Sequence, residues 1–173
     1  MLLLMDDQMN KAYIIMGVSG AGKSTIGALI AEQLDVPFVE GDDFHPRENV
    51  DKMSSGQALT NDDRRAWIEQ LAGEINTIDG HSVASCSALN DVVRNWLNQH
   101  IKAEVCFVCL QGSRALLLER LRARKGHFFK DDMLDSQLQA FDLPEGAICV
   151  DIDASPEEIS ANIMRKISAE ANI

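Results

Sequence analysis

Short, almost wholly apolar runs alternate along the chain with longer segments in which apolar residues recur every three or four positions. AYIIMG (12–17), PFVE (37–40), SVASCS (82–87), AEVCFVCLQG (103–112) and AICVDID (147–153) read as strands. Residues 23–34 place Ile26, Leu29, Ile30 and Leu34 on one face of a helix. Further helices are predicted near 47–54, over 62–78 with Thr60 or Asn61 as N-cap, over 89–100 and over 113–125. The polar, aromatic stretch 126–141 leads into another. Ser155 caps a last helix that has Pro156 in its first position, where the missing N–H costs nothing. Strands alternating with helices predict parallel β-α-β units in an α/β layered fold. No internal repeat or linker interrupts the pattern, so residues 12–173 read as one domain, preceded by an extension (1–11) expected to be disordered.

Composition narrows the function classes. A chain of 173 residues suits one domain with a full core. The net charge of −11 sets up an acidic field that argues against a generic nucleic-acid binder, though not against an anionic small substrate met by a local Lys/Arg cluster. Cys86, Cys106, Cys109 and Cys149 lie mostly in apolar strand-like runs, the usage of buried free thiols in a reducing compartment. Cys106 and Cys109 form a C-x-x-C, but residues i and i+3 of a strand point to opposite faces and would not share a metal. MLLLMDDQMN lacks the basic flank and length of a signal peptide or membrane span, and no later stretch is long and apolar enough to span a membrane. A cytoplasmic protein is expected, with Met5 and Met9 as other possible start positions.

The chemistry begins at 17–24, GVSGAGKS, a full G-x-x-x-x-G-K-[ST]. Its glycines permit backbone geometry and close approach that side chains would block. The loop amides converge on phosphate oxygens, helped by the N-terminus of the following helix. Lys23 reaches the β- and γ-phosphates, and the Ser24 hydroxyl joins a Mg²⁺ shell. The required strand before and helix after are both predicted. Gly17, Val18, Ser19, Gly20, Ala21, Gly22, Lys23, Ser24 and Thr25 are therefore candidate ATP-binding residues. The motif predicts the nucleotide and leaves the phosphoryl acceptor open.

A second loop, EGDDFHPR (40–47), follows the second strand and so opens on the same edge of the sheet. A carboxylate there can accept the proton of an attacking hydroxyl and orient it towards the γ-phosphate. Asp42 is the first candidate and Asp43 the competing one, with Asp43 expected to cap the next helix. His45 and Arg47 would hydrogen-bond a polyol or carboxylate substrate. His81 and His100, at element ends, read as surface or capping residues.

MGVSGAGKST, GDDFHPRENVDKM, LTNDDRRAW, CSAL and RLRARKGHFFKDDMLDSQLQAF resemble, in order and spacing, the gluconokinase family, small P-loop kinases related to shikimate kinase. The resemblance runs from about Met16 to Ile152. It implies a P-loop three-layer fold with a parallel five-stranded sheet, a small helical lid (about 120–143) and ATP- and Mg²⁺-dependent phosphorylation of D-gluconate at its 6-hydroxyl, often by a homodimer. It makes Lys23 and Ser24 the phosphate and Mg²⁺ residues, Asp42 the base and His45 a substrate contact. Arg120 and Arg124 fall in the lid pattern RLxxRxxHF with His127 and Phe128, where arginines would meet charge building on the moving phosphoryl group. Arg122 reads as surface charge.

The chain departs from the family pattern after the third strand. Where the pattern has C-S-A-L-K-x-x-Y-R-D, this chain has CSALNDVVRN: Asn90 and Val93 replace the lysine and tyrosine, and Arg94 remains. Loss of one charge-assisted contact weakens binding by about 1.5–3 kcal/mol in a buried site. Arg94, Arg47 or Lys52 would then take up the anionic end of gluconate. The other readings are a kinase for a related sugar acid or polyol, shikimate-kinase-like, or a nucleotide-binding regulator with weakened catalysis.

Overall fold

The structure, a computed structural model, describes residues 9–124 and 131–171. Five strands, β1 (Lys11–Met16), β2 (Phe38–Glu40), β3 (Ser82–Ser85), β4 (Glu104–Gln111) and β5 (Ile148–Asp151), form one all-parallel sheet in the order β2-β3-β1-β4-β5. The helices are α1 (Lys23–Leu34), α2 (Arg47–Ser54), α3 (Asn61–Ile75), α4 (Asp91–His100), α5 (Arg114–Ala123), α6 (Asp131–Ala140) and α7 (Pro156–Ala171).

β1 is the central strand, and its alternation sorts the helices into two outer layers. Tyr13 and Ile15 face a core shared with Ile26 and Ile30 of α1, Leu117 and Leu121 of α5, Leu134 of α6 and Ile163 of α7. Ala12, Ile14 and Met16 face the other core, built from Trp67, Ile68 and Leu71 of α3 and Val93 and Leu97 of α4. Each large side chain buried in this way stabilises the fold by about 1.5–3 kcal/mol. Cys106 packs on the first core and Cys109 lies in the second, so the C-x-x-C does straddle the sheet.

Several boundaries differ from expectation for local reasons. The sheet starts earlier than residue 12: Lys11 belongs to β1 and the Asn10 carbonyl accepts from the Glu104 amide. The N-terminal extension therefore does not reach residue 11. α3 starts at its cap Thr60, which forms a reciprocal capping box with Asp63. It stops at Ile75 rather than 78, because the Asn76 side chain turns away to the His100 carbonyl and the Lys102 amide. β3 ends at Ser85, two residues early, where the chain leaves the sheet for the site. Residues 41–44 form a single 3-10 turn that the apolar pattern does not signal. Neither Asp42 nor Asp43 caps α2. Pro46 occupies that N-cap without a side-chain bond, and Glu40 instead caps the 3-10 turn.

Candidate active site

The loops that follow β1, β2 and β3 meet at the carboxyl edge of the sheet, where α/β folds bind ligands. The first runs from Gly17 to Gly22. It is pinned by the Gly17 amide on the Ser87 carbonyl (3.3 Å) and closed by the Ala21 amide on the Val18 carbonyl (3.2 Å). Gly20 has φ +85°, and a Cβ there would lie 2.9 Å from Leu121 Cγ and 3.1 Å from the Leu117 carbonyl, so both its backbone and its surroundings require glycine. α1 starts directly behind the loop with Gly22 as N-cap and no side-chain cap, leaving the amides of its first turn available to an anion. Ser24 and Thr25 are exposed on that turn.

Lys23 folds over the loop and donates to the Val18 carbonyl (3.2 Å). Burial pushes its ammonium pKa down. Asp42, Cys86 and Glu40 oppose that shift and Arg124 adds to it. The leading opposing charge is thus Asp42, from the second loop. A glycine cradle, a bare helix N-terminus and a desolvated ammonium fit the phosphates of a nucleotide.

The second loop is held from below. The Gly41 amide donates to Ser85 Oγ (3.0 Å), and the Ser85 hydroxyl donates to the Glu40 carboxylate. A Cβ on Gly41 would fall on the Ser85 carbonyl oxygen, far inside contact distance, so this loop runs flush against the end of β3. Trp67 Nε1 donates to the Gly41 carbonyl (2.7 Å), and the same indole stacks on the His45 ring with centroids 4.0 Å apart and planes 20° apart. The His45 side chain is only 6% exposed, and its burial pushes its pKa below 6.5. Asn49 Nδ2, a donor, donates to the Asp63 carbonyl (2.7 Å) and sits 3.5 Å from His45 Nδ1. The network therefore assigns the proton of neutral His45 to Nε2, which lies 3.9 Å from Asp42 Oδ1. Asp42 itself is 71% exposed and free to meet a substrate. Asp42 thus lies against His45, and its charge bears on Lys23.

The third loop carries a strained residue. Ala88 is buried at φ +45°, a conformation that L-residues adopt at a cost of about 1–3 kcal/mol. Its carbonyl accepts from Arg94 Nη1 (2.9 Å). Arg94 also donates to the Asp142 carbonyl (3.3 Å) and pairs with the carboxylates of Asp91 and Asp142. It is 4% exposed, so the guanidinium expected to bind substrate is engaged inside the protein. Arg47 is also not brought in: it is 92% exposed on α2, 3.9 Å from Asp51. Lys52 is paired with Asp63 at 2.6 Å. The two departures from the family pattern have structural roles. Asn90 is the N-cap of α4, accepting from the Val93 amide (3.1 Å) and donating to Asn61 Oδ1 (3.2 Å), and Val93 is a core residue.

Of the two arginines expected in a lid, Arg120 donates to the Ile152 carbonyl (2.6 Å) and places Nη1 3.8 Å from where a Gly22 Cβ would be, beside the cradle. Arg124 is close enough to bear on Lys23, whereas Arg122 forms an exposed pair with Asp131. His127 and Phe128 lie outside the described residues. Sequence reasoning did not single out Trp67, Ser85 or Gln137 as site residues. Gln137 of α6 bonds to Ser19 of the first loop. A tryptophan on a buried helix stripe and a glutamine in a polar helix carry no signal of their own.

A phosphate cradle and a carboxylate loop at one edge of a five-stranded parallel sheet define a small P-loop kinase. The comparisons agree. A family model described as AAA domain matches residues 14–141. The thermoresistant gluconokinase of Escherichia coli is 38% identical over 90% of this chain and 92% of its own length. A crystal structure of a gluconokinase from Sinorhizobium meliloti superposes with a TM-score of 0.86 at 36% identity, covering 95% of each chain. Shikimate kinase from Aquifex aeolicus shares the fold, with a TM-score of 0.61 at 18% identity. The chain belongs to the gluconokinase family.

Proposed function

We propose that this protein transfers the terminal phosphoryl group of ATP to the 6-hydroxyl of D-gluconate. The observation that carries the proposal is the sheet edge that brings together the glycine loop, with Lys23 bonded over it, and the second loop, with the exposed Asp42 beside His45. When bound, ATP supplies the phosphoryl group and Mg²⁺ offsets the charge on it.

The chain's own residues would do the following. The loop amides not already bonded within the protein and those of the first turn of α1 hold the phosphates, and Lys23 exchanges the Val18 carbonyl for a phosphate oxygen. Ser24, exposed at the start of α1, offers its hydroxyl to the metal. Asp42 accepts the proton of the substrate hydroxyl, with His45 Nε2–H steadying the carboxylate. Arg120 and Arg124 bring positive charge to the cradle side of the transferred group. With Arg94 and Lys52 paired internally, recognition of the sugar acid falls to Asp42, His45 and the strand-three loop, with His127 and Arg47 as the remaining candidates.

The reading extends to one kinase domain that includes β1 from Lys11, with 120–143 as its lid, acting as a cytoplasmic homodimer. No helix among the described residues is long and apolar enough to cross a membrane. Light scattering checks the stoichiometry. A coupled assay of ADP release over a panel of sugar acids, with shikimate and a neutral polyol as controls, tests the activity. Turnover with gluconate is expected, and its absence overturns the substrate assignment.

A further inference from the structure

Gln137, in the middle of α6, uses both ends of its carboxamide on one residue of the phosphate loop. Its Oε1 accepts from the Ser19 amide (2.7 Å) and its Nε2 donates to Ser19 Oγ (3.0 Å). The two residues are 118 positions apart in sequence. Both bonds run between partly buried atoms, and the pair matches donor to acceptor in both directions, which only a carboxamide of this length supplies.

The other polar ties of α6 go elsewhere. Arg114 grips Asp135 through two bonds (2.6 and 2.8 Å) and Arg122 pairs with Asp131 (2.8 Å), both joining α6 to α5 at exposed positions. Beyond the end of α6, the Asp142 amide donates to the Leu89 carbonyl (3.0 Å). Among the described residues, Gln137 makes the side-chain hydrogen bonds that join α6 to the cradle.

Ser19 immediately precedes Gly20, whose left-handed backbone and contacts with Leu117 and Leu121 leave it little room to adjust. Holding Ser19 at both its amide and its hydroxyl therefore sets the orientation of the peptide that enters the cradle. We propose that Gln137 is a positioning residue that fastens α6 to the phosphate loop through Ser19, so that cradle geometry and the seating of α6 are coupled. The proposal rests on the reading of residues 17–25 as the nucleotide site. Coupling of this kind is reciprocal: a nucleotide that steadies the cradle must also steady α6.

The test compares wild type, Gln137→Leu, Ser19→Ala and the double variant, using a non-hydrolysable ATP analogue. Calorimetry reads affinity, and hydrogen exchange reads the amides of residues 131–140 with and without the analogue. Gln137→Leu is expected to weaken analogue binding about tenfold, the change that one or two ordinary hydrogen bonds convert to. Ser19→Ala, which leaves α6 untouched and keeps the Ser19 amide, should lose less. The double variant should be no weaker than Gln137→Leu alone, because both act through one contact. In wild type the analogue should slow exchange across α6, and in Gln137→Leu that protection should vanish. If the variant binds within twofold of wild type and keeps the protection, Gln137 is not a positioning residue. Additive losses in the double variant overturn the shared contact in the same way. If wild type itself binds no analogue, the nucleotide reading of the loop fails first and takes the proposal with it.

Discussion

The His45 imidazole lies flat on the Trp67 indole, 4.0 Å between centroids, while the edge of that indole holds the Gly41 carbonyl. One side chain of α3 thus carries both the backbone that precedes Asp42 and the histidine that faces it. Replacing Trp67 with Phe keeps a ring for stacking but removes the donor. The Gly41 carbonyl is then left unpaired in a buried place, at a cost of about 1–3 kcal/mol. Urea unfolding should show that loss. Steady-state kinetics should show a lower kcat with the affinity for an ATP analogue unchanged, since the cradle is not touched.

The same stack makes His45 visible in solution. Imidazolium quenches indole emission more than imidazole does, so Trp67 fluorescence should drop as His45 takes up a proton. In a Trp96→Phe background the midpoint should fall below 6.5, as burial dictates, and His45→Gln should abolish the transition. The sign for stability follows. Between 6.5 and the lower folded value the unfolded chain binds the proton first, so His45 makes the fold less stable as pH falls through that window. A midpoint at or above 6.5 would contradict the buried stack.

Asp42→Asn preserves shape and removes the base. Turnover should fall by about 10²–10⁴-fold, the usual contribution of a positioned general base. Affinity for the ATP analogue should hold or improve slightly, because one negative charge that repels the phosphates is gone. Asp43→Asn should leave turnover within a few-fold of wild type. The reverse ranking would move the base by one residue.

Arg94 offers a direct contrast between binding and architecture. Arg94→Met leaves the Ala88 and Asp142 carbonyls without their donor and frees two carboxylates exposed enough to rehydrate. A stability loss of about 1–3 kcal/mol is expected. KM for gluconate in the folded fraction should stay near wild type. A large rise in KM with stability intact would return Arg94 to the substrate.

Like Asp135 and Glu158, Asp63 contributes to the acid limb. Bonds from Lys52 and from the Thr60 amide and hydroxyl pull its pKa from 3.8 to about 2. A depressed carboxylate stabilises the fold above its unfolded value and loses that contribution as pH falls through the folded one. Wild type and Asp63→Asn should therefore differ most in urea unfolding above pH 5 and converge as the pH approaches 2.

The contrast between Lys23 and Gln137 explains how much could be read in advance. Lys23 belongs to a contiguous string in which every residue serves one ligand, so spacing alone conveys its role. The strands were legible for a similar reason, since β1 is buried on both faces and its apolar run has no other use. Asp42 could be named but not separated from Asp43, because which carboxylate lies against His45 depends on the 3-10 turn and on Trp67 beneath it. The internal partners of Arg94 and Lys52 could not be foreseen, because a cation in sequence shows its charge and hides its partner. Asp142 lies 48 residues from Arg94, and Asp63 lies 11 from Lys52. Ser19 and Gln137 meet only because the chain lays down β2, β3 and β4 before α6 returns to the loop.

The strand order has a last consequence. β3 bonds to both β1 and β2, so the mouths of the phosphate and carboxylate loops stand two strand spacings apart, about 10 Å. A rigid sheet acts here as a ruler. A six-carbon chain is long enough to touch the loops of all three strands at once, whereas a water molecule has only its one oxygen to offer. The order of the strands thus sets the length of molecule that can draw binding energy from the whole site.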